Sequence, residues 1–216
     1  NPDHVEILLD YASPIAQARD RSLLAYSVVE VPQQLPIHEG IRFQQHREGL
    51  LRRAREYASD ENLELETDLV VAHKAPDGIL AGARRYNADC LVMGWKGHTN
   101  TRDRIFGEVA DQIIRHAPCD LALLKVSKPG KPKRCLFPTA GGEHAQLAAQ
   151  MLSVLAPAFG MAVTACHVVP PNATDATKEQ ADEWISKTLA SIAVDEPVDR
   201  KIIEAESVAG GIALES

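Results

Sequence analysis

Gly94, Gly97 and Gly107 are the residues whose spacing most invites chemistry, in the run Gly94-Trp-Lys-Gly97-His-Thr-Asn-Thr-Arg-Asp-Arg-Ile-Phe-Gly107-Glu108. Glycines let a backbone approach a phosphate closely, and the free N–H groups at a helix start favour anions. Lys96, His98, Arg102 and Arg104 add positive charge to the same stretch. The spacing is neither GxxxxGKS/T nor GxGxxG. A blander reading stands beside this one: the glycines shape a strand-to-helix turn, and the basic residues solvate a loop.

Other constellations are weaker. His38-Glu39 lacks the second histidine of HExxH, because position 42 is Arg. His4 and His144 recur at helix starts, where capping or packing accounts for them, so no metal site is assigned. No GxSxG elbow is present, and no nucleophile or acid/base pair supports an enzyme.

The elements that must hold the glycine run alternate. A helix is expected from about Asp3 to Asp20, with Pro14 inside it. A strand follows at Leu23–Val31, then a helix over about Gly40–Asn62 with Leu50, Leu51, Ala54, Tyr57 and Ala58 on one face. In that helix Arg52, Arg53 and Arg55 read as its solvated side. Next come a strand at Leu65–Ala72, a helix from Asp77 to Tyr86 and an apolar strand at Cys90–Met93. After the glycine run, Phe106, Val109, Ala110, Ile113, Ile114 and Ala117 recur at helical spacing until Pro118, and a last strand covers Leu121–Val126. Strands and helices in alternation, with near-continuous apolar strands, imply an α/β fold with a parallel sheet covered on both faces. The glycine run then lies beyond the carboxyl end of a strand, where such sheets bind ligands.

The chain also repeats itself. At a shift of 140, His4 meets His144, Ser13 meets Ser153, Ala16 meets Ala156, Ala25 meets Ala165, and Val28-Val29 meets Val168-Val169. At a shift of 133, Ala72 meets Ala205 and Gly78-Ile79 meets Gly211-Ile212. Between the copies, residues 127–133 hold two prolines, a glycine and three lysines, which reads as a solvated linker. The expected domains are 1–126 and 134–216. Copy two opens with a strand, Arg134–Thr139, that has no counterpart ahead of the first helix of copy one. Copy two also stops inside the helix that matches Asp77–Tyr86. Both copies are therefore expected to be incomplete, and the sequence to be a piece of a longer chain.

The 216 residues are 45% hydrophobic and 25% charged, an ordinary globular composition. Net charge is −7, of which −1 falls on residues 1–133 and −6 on 134–216, so no general pull on nucleic acid is expected. No apolar run of about 20 residues reads as a membrane span, and no signal peptide is visible. Cys90, Cys119, Cys135 and Cys166 have no CxxC spacing and read as small core residues in a reducing cytoplasm.

Gly94-x2-Gly97-x9-Gly107 resembles the nucleotide loop of the universal stress protein family, G-x2-G-x9-G followed by Ser or Thr. Ala88–Gly94 and Glu108–Lys125 are similar to the family in the same order. The resemblance covers copy one apart from a first strand, and the first half of copy two. It implies two tandem universal-stress-type (HUP-type) domains, each built on a parallel sheet flanked by helices. It implies that ATP or another anion would sit at Gly94, Lys96, Gly97, His98, Gly107 and Glu108. It also implies a homodimer or an intramolecular pseudo-dimer, for which the strand Leu121–Val126 is the expected edge.

Three departures weigh against ATP. Glu108 stands where the family has a hydroxyl that touches phosphate, and a carboxylate repels phosphate. The aspartate that the family has at the end of its first strand falls outside copy one, and in copy two Phe137–Gly142 has none. Copy two has no glycine loop. A finer resemblance, in Asn1-Pro2, Val28–Pro36 and Gly94–Gly97, is to the tandem on the cytosolic tail of amino-acid permeases and of some cation antiporters. The leading expectation is thus a non-enzymatic, cytosol-facing regulatory module on an amino-acid transporter. The alternative is a free-standing, ATP-binding stress protein, with a slow ATPase behind both.

Overall fold

A computed structural model of the chain describes residues 4–95, 106–125, 131–192 and 198–215. The chain divides into two compact units, Asn1–Pro129 and Gly130–Ser216. Both are α/β with parallel strands flanked by helices.

The first unit runs α1 (Val5–Ala18), β1 (Leu23–Glu30), a 3-10 segment (Ile37–Phe43), α2 (Gln45–Asp60), β2 (Leu65–Ala72), α3 (Ala75–Arg85), β3 (Cys90–Trp95), α4 (Glu108–His116) and β4 (Asp120–Lys125). β1 pairs with β2 in parallel from Leu23 opposite Leu65 to Glu30 opposite Ala72. β3 pairs with β4 in parallel from Cys90 opposite Asp120 to Trp95 opposite Lys125. Such pairs need helical crossovers; Val28, Val29, Val70, Ala72 and Leu91 are buried, and most other residues of these strands are half-buried. Leu80, Leu91 and Ile113 form one core, on which Tyr26, Ile79, Met93 and Leu121 pack.

Two expectations need correction here. The helix expected over Gly40–Asn62 is split into the 3-10 segment and α2. The break falls at Gln44; within the 3-10 segment Gly40 packs closely on β2, where a Cβ would lie 2.5 Å from Val71 Cγ1. The arginines of α2 also do more than face water. Arg53 Nη2 lies 3.0 Å from Glu6 Oε1 and ties α2 to α1, and Arg55 donates to the Thr67 hydroxyl.

The second unit runs β5 (Arg134–Pro138), α5 (Glu143–Phe159), β6 (Ala162–Val169), α6 (Asp175–Leu189), β7 (Asp199–Glu204) and α7 (Val208–Glu215). Its sheet is parallel in the order β5-β6-β7. α5 stops at Gly160, whose φ of 60° is the left-handed conformation that closes helices. The Thr174 hydroxyl accepts from the Thr177 amide and starts α6. β6 falls on β1 at the shift of 140, and β7 and α7 fall on β2 and α3 at the shift of 133. Among the described residues no helix is long and apolar enough to cross a membrane.

Candidate functional site

β3 and α4 bracket the glycine run. Gly94 is the fifth of six residues in β3, opposite Leu124. Gly107 stands directly ahead of α4 with φ 96°, a conformation that side chains other than glycine rarely adopt. Glu108 opens α4 and is exposed. Lys96, Gly97 and His98, with Arg102 and Arg104, lie outside the described residues.

The two ends of the run meet. The Trp95 indole N–H donates to the Phe106 carbonyl at 2.8 Å, and the two rings pack edge to face with centroids 5.0 Å apart. Lys125 Nζ lies 5.9 Å from the Trp95 ring, which adds a cation–π contact from β4. Trp95 and Phe106, which flank the undescribed part of the run, thus meet at the carboxyl end of β3.

The first turn of α4 is partly spent on its own chain. The Phe106 N–H donates to Asp111 Oδ1 at 3.3 Å, and the Asp111 N–H donates to the Gly107 carbonyl at 2.8 Å. Asp111 Oδ2 is buried without a hydrogen-bond partner among the described residues. Two carboxylates, Glu108 and Asp111, therefore sit in this turn. They suit the positive end of the helix, and they compete with any anion brought to it.

α1 covers the same end of β3. A Cβ on Gly94 would lie 3.6 Å from His4 Nδ1 and 4.0 Å from Leu8 Cδ2, in ordinary contact. His4 does not cap α1 with its side chain; it packs at the end of β3. At the opposite end, Arg19 donates to the Asp89 carbonyl at 3.1 Å and to Asp120 Oδ2 at 2.7 Å. Cys90, beside it, is held up to about 11 by burial. Burial likewise holds Tyr26 up to about 12; its hydroxyl donates to the Ile79 carbonyl. All four cysteines are free, Cys166 buried and the other three half-buried.

The matching strand end of the second unit is filled. The Thr139 hydroxyl lies 2.6 Å from that of Thr188 and accepts from the Gly141 amide at 3.1 Å. His167 Nδ1 lies 2.6 Å from the Thr139 carbonyl, and the His167 ring packs against Trp184. A Cβ on Gly141 would meet Trp184 Cδ1 at 2.8 Å. Among the described residues, no group of three or more His, Cys, Asp or Glu could hold a metal ion.

Spacing alone points to the glycines and to Glu108. It does not point to the Trp95–Phe106 neck or to Asp111, which depend on residues 11 and 5 positions apart being folded together.

Comparison with known proteins bears on this arrangement. The sequence pattern of the universal stress protein family matches residues 1–125. The Na(+)/H(+) antiporter NhaS5 of Synechocystis sp. is 27% identical over 199 residues. That match covers 88% of this chain, which spans 28% of the antiporter's length. A universal stress protein from Archaeoglobus fulgidus DSM 4304 superposes with a TM-score of 0.63 at 14% identity, covering 95% of this chain and 75% of its own. One from Archaeoglobus fulgidus in complex with dAMP superposes with a TM-score of 0.43 at 24% identity, covering 57% of this chain and 89% of its own.

Proposed function

The chain belongs to the universal stress protein family, and from that premise we propose that its first unit is a nucleotide-binding regulatory module. The site runs from the carboxyl end of β3 to the first turn of α4. Gly94 and Gly107 bring the backbone close to the phosphates. Lys96, Gly97 and His98 supply charge and amides between them, and Glu108 sets how tightly phosphate is held. The observation that supports this reading is the loop's frame. A parallel strand carries glycine one residue before its end, a second glycine with φ 96° precedes a helix, and the Trp95–Phe106 pair joins the two. The second unit does not bind nucleotide by itself, because Trp184 and Thr139 occupy its strand end.

The module binds and does not turn over its ligand. ATP with Mg²⁺ titrated into the purified protein, read by calorimetry and by Trp95 fluorescence, is expected to saturate in the millimolar range or below. No heat and no fluorescence change at millimolar ATP would end the nucleotide reading. Phosphate release above background would end the non-enzymatic one.

A second reading rests on the antiporter match, which covers 88% of this chain. In it the two units form the cytosol-facing regulatory part of a membrane transporter, of an amino-acid or cation. Sequencing the reading frame upstream of Asn1 tests this: a series of apolar spans supports it, and a soluble leader overturns it. In either setting β4, which pairs only with β3 among the described residues, offers an edge for a homodimer or pseudo-dimer. Sedimentation of the wild type against a Leu123→Pro variant tests that edge.

A further inference from the structure

The residues from Gly94 to Asp111 carry formal charges that cancel. Lys96, Arg102 and Arg104 stand against Asp103, Glu108 and Asp111. In the described part of the run, Gly94–Trp95 and Phe106–Asp111, the charged side chains are Glu108 and Asp111 alone. Lys125 brings a cation from β4, and it lies over the Trp95 ring at 5.9 Å. The frame of the site is therefore not a field that draws a highly charged anion.

The donors at the start of α4 are also few. The first N–H bond of the helix runs from Asp111 to the Gly107 carbonyl at 2.8 Å. The N–H groups of Glu108, Val109 and Ala110 come before it and have no intrahelical acceptor, as at any helix start. The Phe106 N–H is spent on Asp111 Oδ1 at 3.3 Å. The free amides can meet the oxygens of one phosphate group, and their hydrogen bonds offset its repulsion from the two carboxylates. Each further phosphate adds negative charge to the ligand and meets the same carboxylates.

The two carboxylates repel in different ways. Glu108 is exposed, so water and salt screen it. Asp111 Oδ2 is buried with no hydrogen-bond partner, and a buried charge is screened much less. Asp111 is also fixed in place. Its Oδ1 takes the Phe106 N–H, and the Phe106 carbonyl takes the Trp95 indole N–H.

We propose that the site selects by phosphate number: it takes a nucleoside monophosphate in preference to the di- and triphosphate, and Glu108 and Asp111 set that preference. The proposal rests on the nucleotide reading above and names the ligand class within it. Selection works by exclusion, through like charges placed against the wrong ligand. Glu108 supplies the part of the repulsion that salt weakens, and Asp111 the part that persists.

The test is titration of the unaltered protein with AMP, ADP and ATP, read by calorimetry. Divalent cations are left out so that the phosphates keep their full charge. Kd is expected to rise in that order, by about tenfold from AMP to ATP. Glu108→Gln and Asp111→Asn each remove one charge and keep a polar side chain of similar size. Each should cut the preference for AMP over ATP by about threefold. The preference left in Glu108→Gln should resist added salt better than that left in Asp111→Asn, a difference that a merely structural role would not produce. Glu108→Gln lies at an exposed position and keeps the test open should Asp111→Asn fold poorly. Mg²⁺ neutralises polyphosphate charge and should narrow the preference in the wild type. ATP binding as tightly as AMP without Mg²⁺ would overturn the proposal and leave the nucleotide reading standing. A preference that neither variant changes would overturn the assignment to these carboxylates. Binding of none of the three ligands would end the nucleotide reading itself, and this proposal with it.

Discussion

Gly78 of α3 lies against Val28 of β1 so closely that a Cβ would stand 2.5 Å from Val28 Cγ1 and 3.0 Å from the Ala72 Cβ. Gly211 of α7 lies the same way against Val168 of β6, with 2.9 Å to Val168 Cγ1 and 3.1 Å to the Ala205 Cβ. The three residues of each contact are partners in the internal repeat. The duplication is therefore preserved at the level of one helix–strand approach.

Gly78→Ala forces that approach apart. Overpacking costs about 1–3 kcal/mol, and the better helix propensity of alanine returns about 1 kcal/mol. The net loss is expected at up to about 2 kcal/mol for Gly78→Ala and at less for Gly211→Ala, where the gap is wider. Urea denaturation checks this, with Trp95 reporting on the first unit and Trp184 on the second. A Gly78→Ala protein as stable as wild type would show that α3 shifts freely on β1.

The same contact shows what a reader of the sequence can and cannot see. The matched Gly-Ile pairs and matched valines are visible in one dimension, and so is β2, which spans Leu65–Ala72 as its apolar run suggests. The close approach of Gly40 in the 3-10 segment is not visible, because it depends on Val71, some thirty residues on. β3 runs on through Gly94 and Trp95 because β4 pairs with them, although glycine weakens a strand. At the site, glycine spacing and Glu108 are legible. The Trp95–Phe106 neck is not, since nothing in either residue's neighbourhood says they meet.

That neck should matter for stability as well as for binding. Trp95→Ala removes an edge-to-face pair worth about 0.5–1.5 kcal/mol and a hydrogen bond worth about 1 kcal/mol. A loss of about 2 kcal/mol is expected by denaturation, together with weaker ATP binding by calorimetry. Trp95→Phe keeps the ring and should recover part of the stability. If Trp95→Ala binds ATP as wild type does, the neck does not shape the site.

Stability should fall on the alkaline side. Burial raises Cys90 from an ordinary 9.0 to about 11 and Tyr26 from 10.0 to about 12. Between pH 9 and 11 the unfolded chain releases the Cys90 proton while the folded chain keeps it. The folded state then binds more protons, and its stability drops as pH rises. Below pH 9 the thiol is protonated in both states and the contribution is constant. Melting temperature measured from pH 7 to 11 should decline above pH 9, and less steeply in Cys90→Ala. An identical slope in that variant would assign the decline to other groups, Tyr26 among them.

Glu108→Ser separates the helix from the ligand. A carboxylate in the first turn of α4 stabilises the helix by about 0.3–1 kcal/mol, because the helix N-terminus is its positive end. The substitution should therefore lower stability by about that amount. It should also tighten ATP by about tenfold, by removing a negative charge next to the phosphates and supplying a hydroxyl in its place. Denaturation and calorimetry on the same preparation read the two effects independently, and they carry opposite signs. Glu108→Gln removes the same charge without a hydroxyl at that position, so it should tighten ATP less than Glu108→Ser if the hydroxyl adds a direct contact. Equal affinity in the wild type and both variants would show that phosphate does not reach the first turn of α4, and the site would then have to lie elsewhere on the unit.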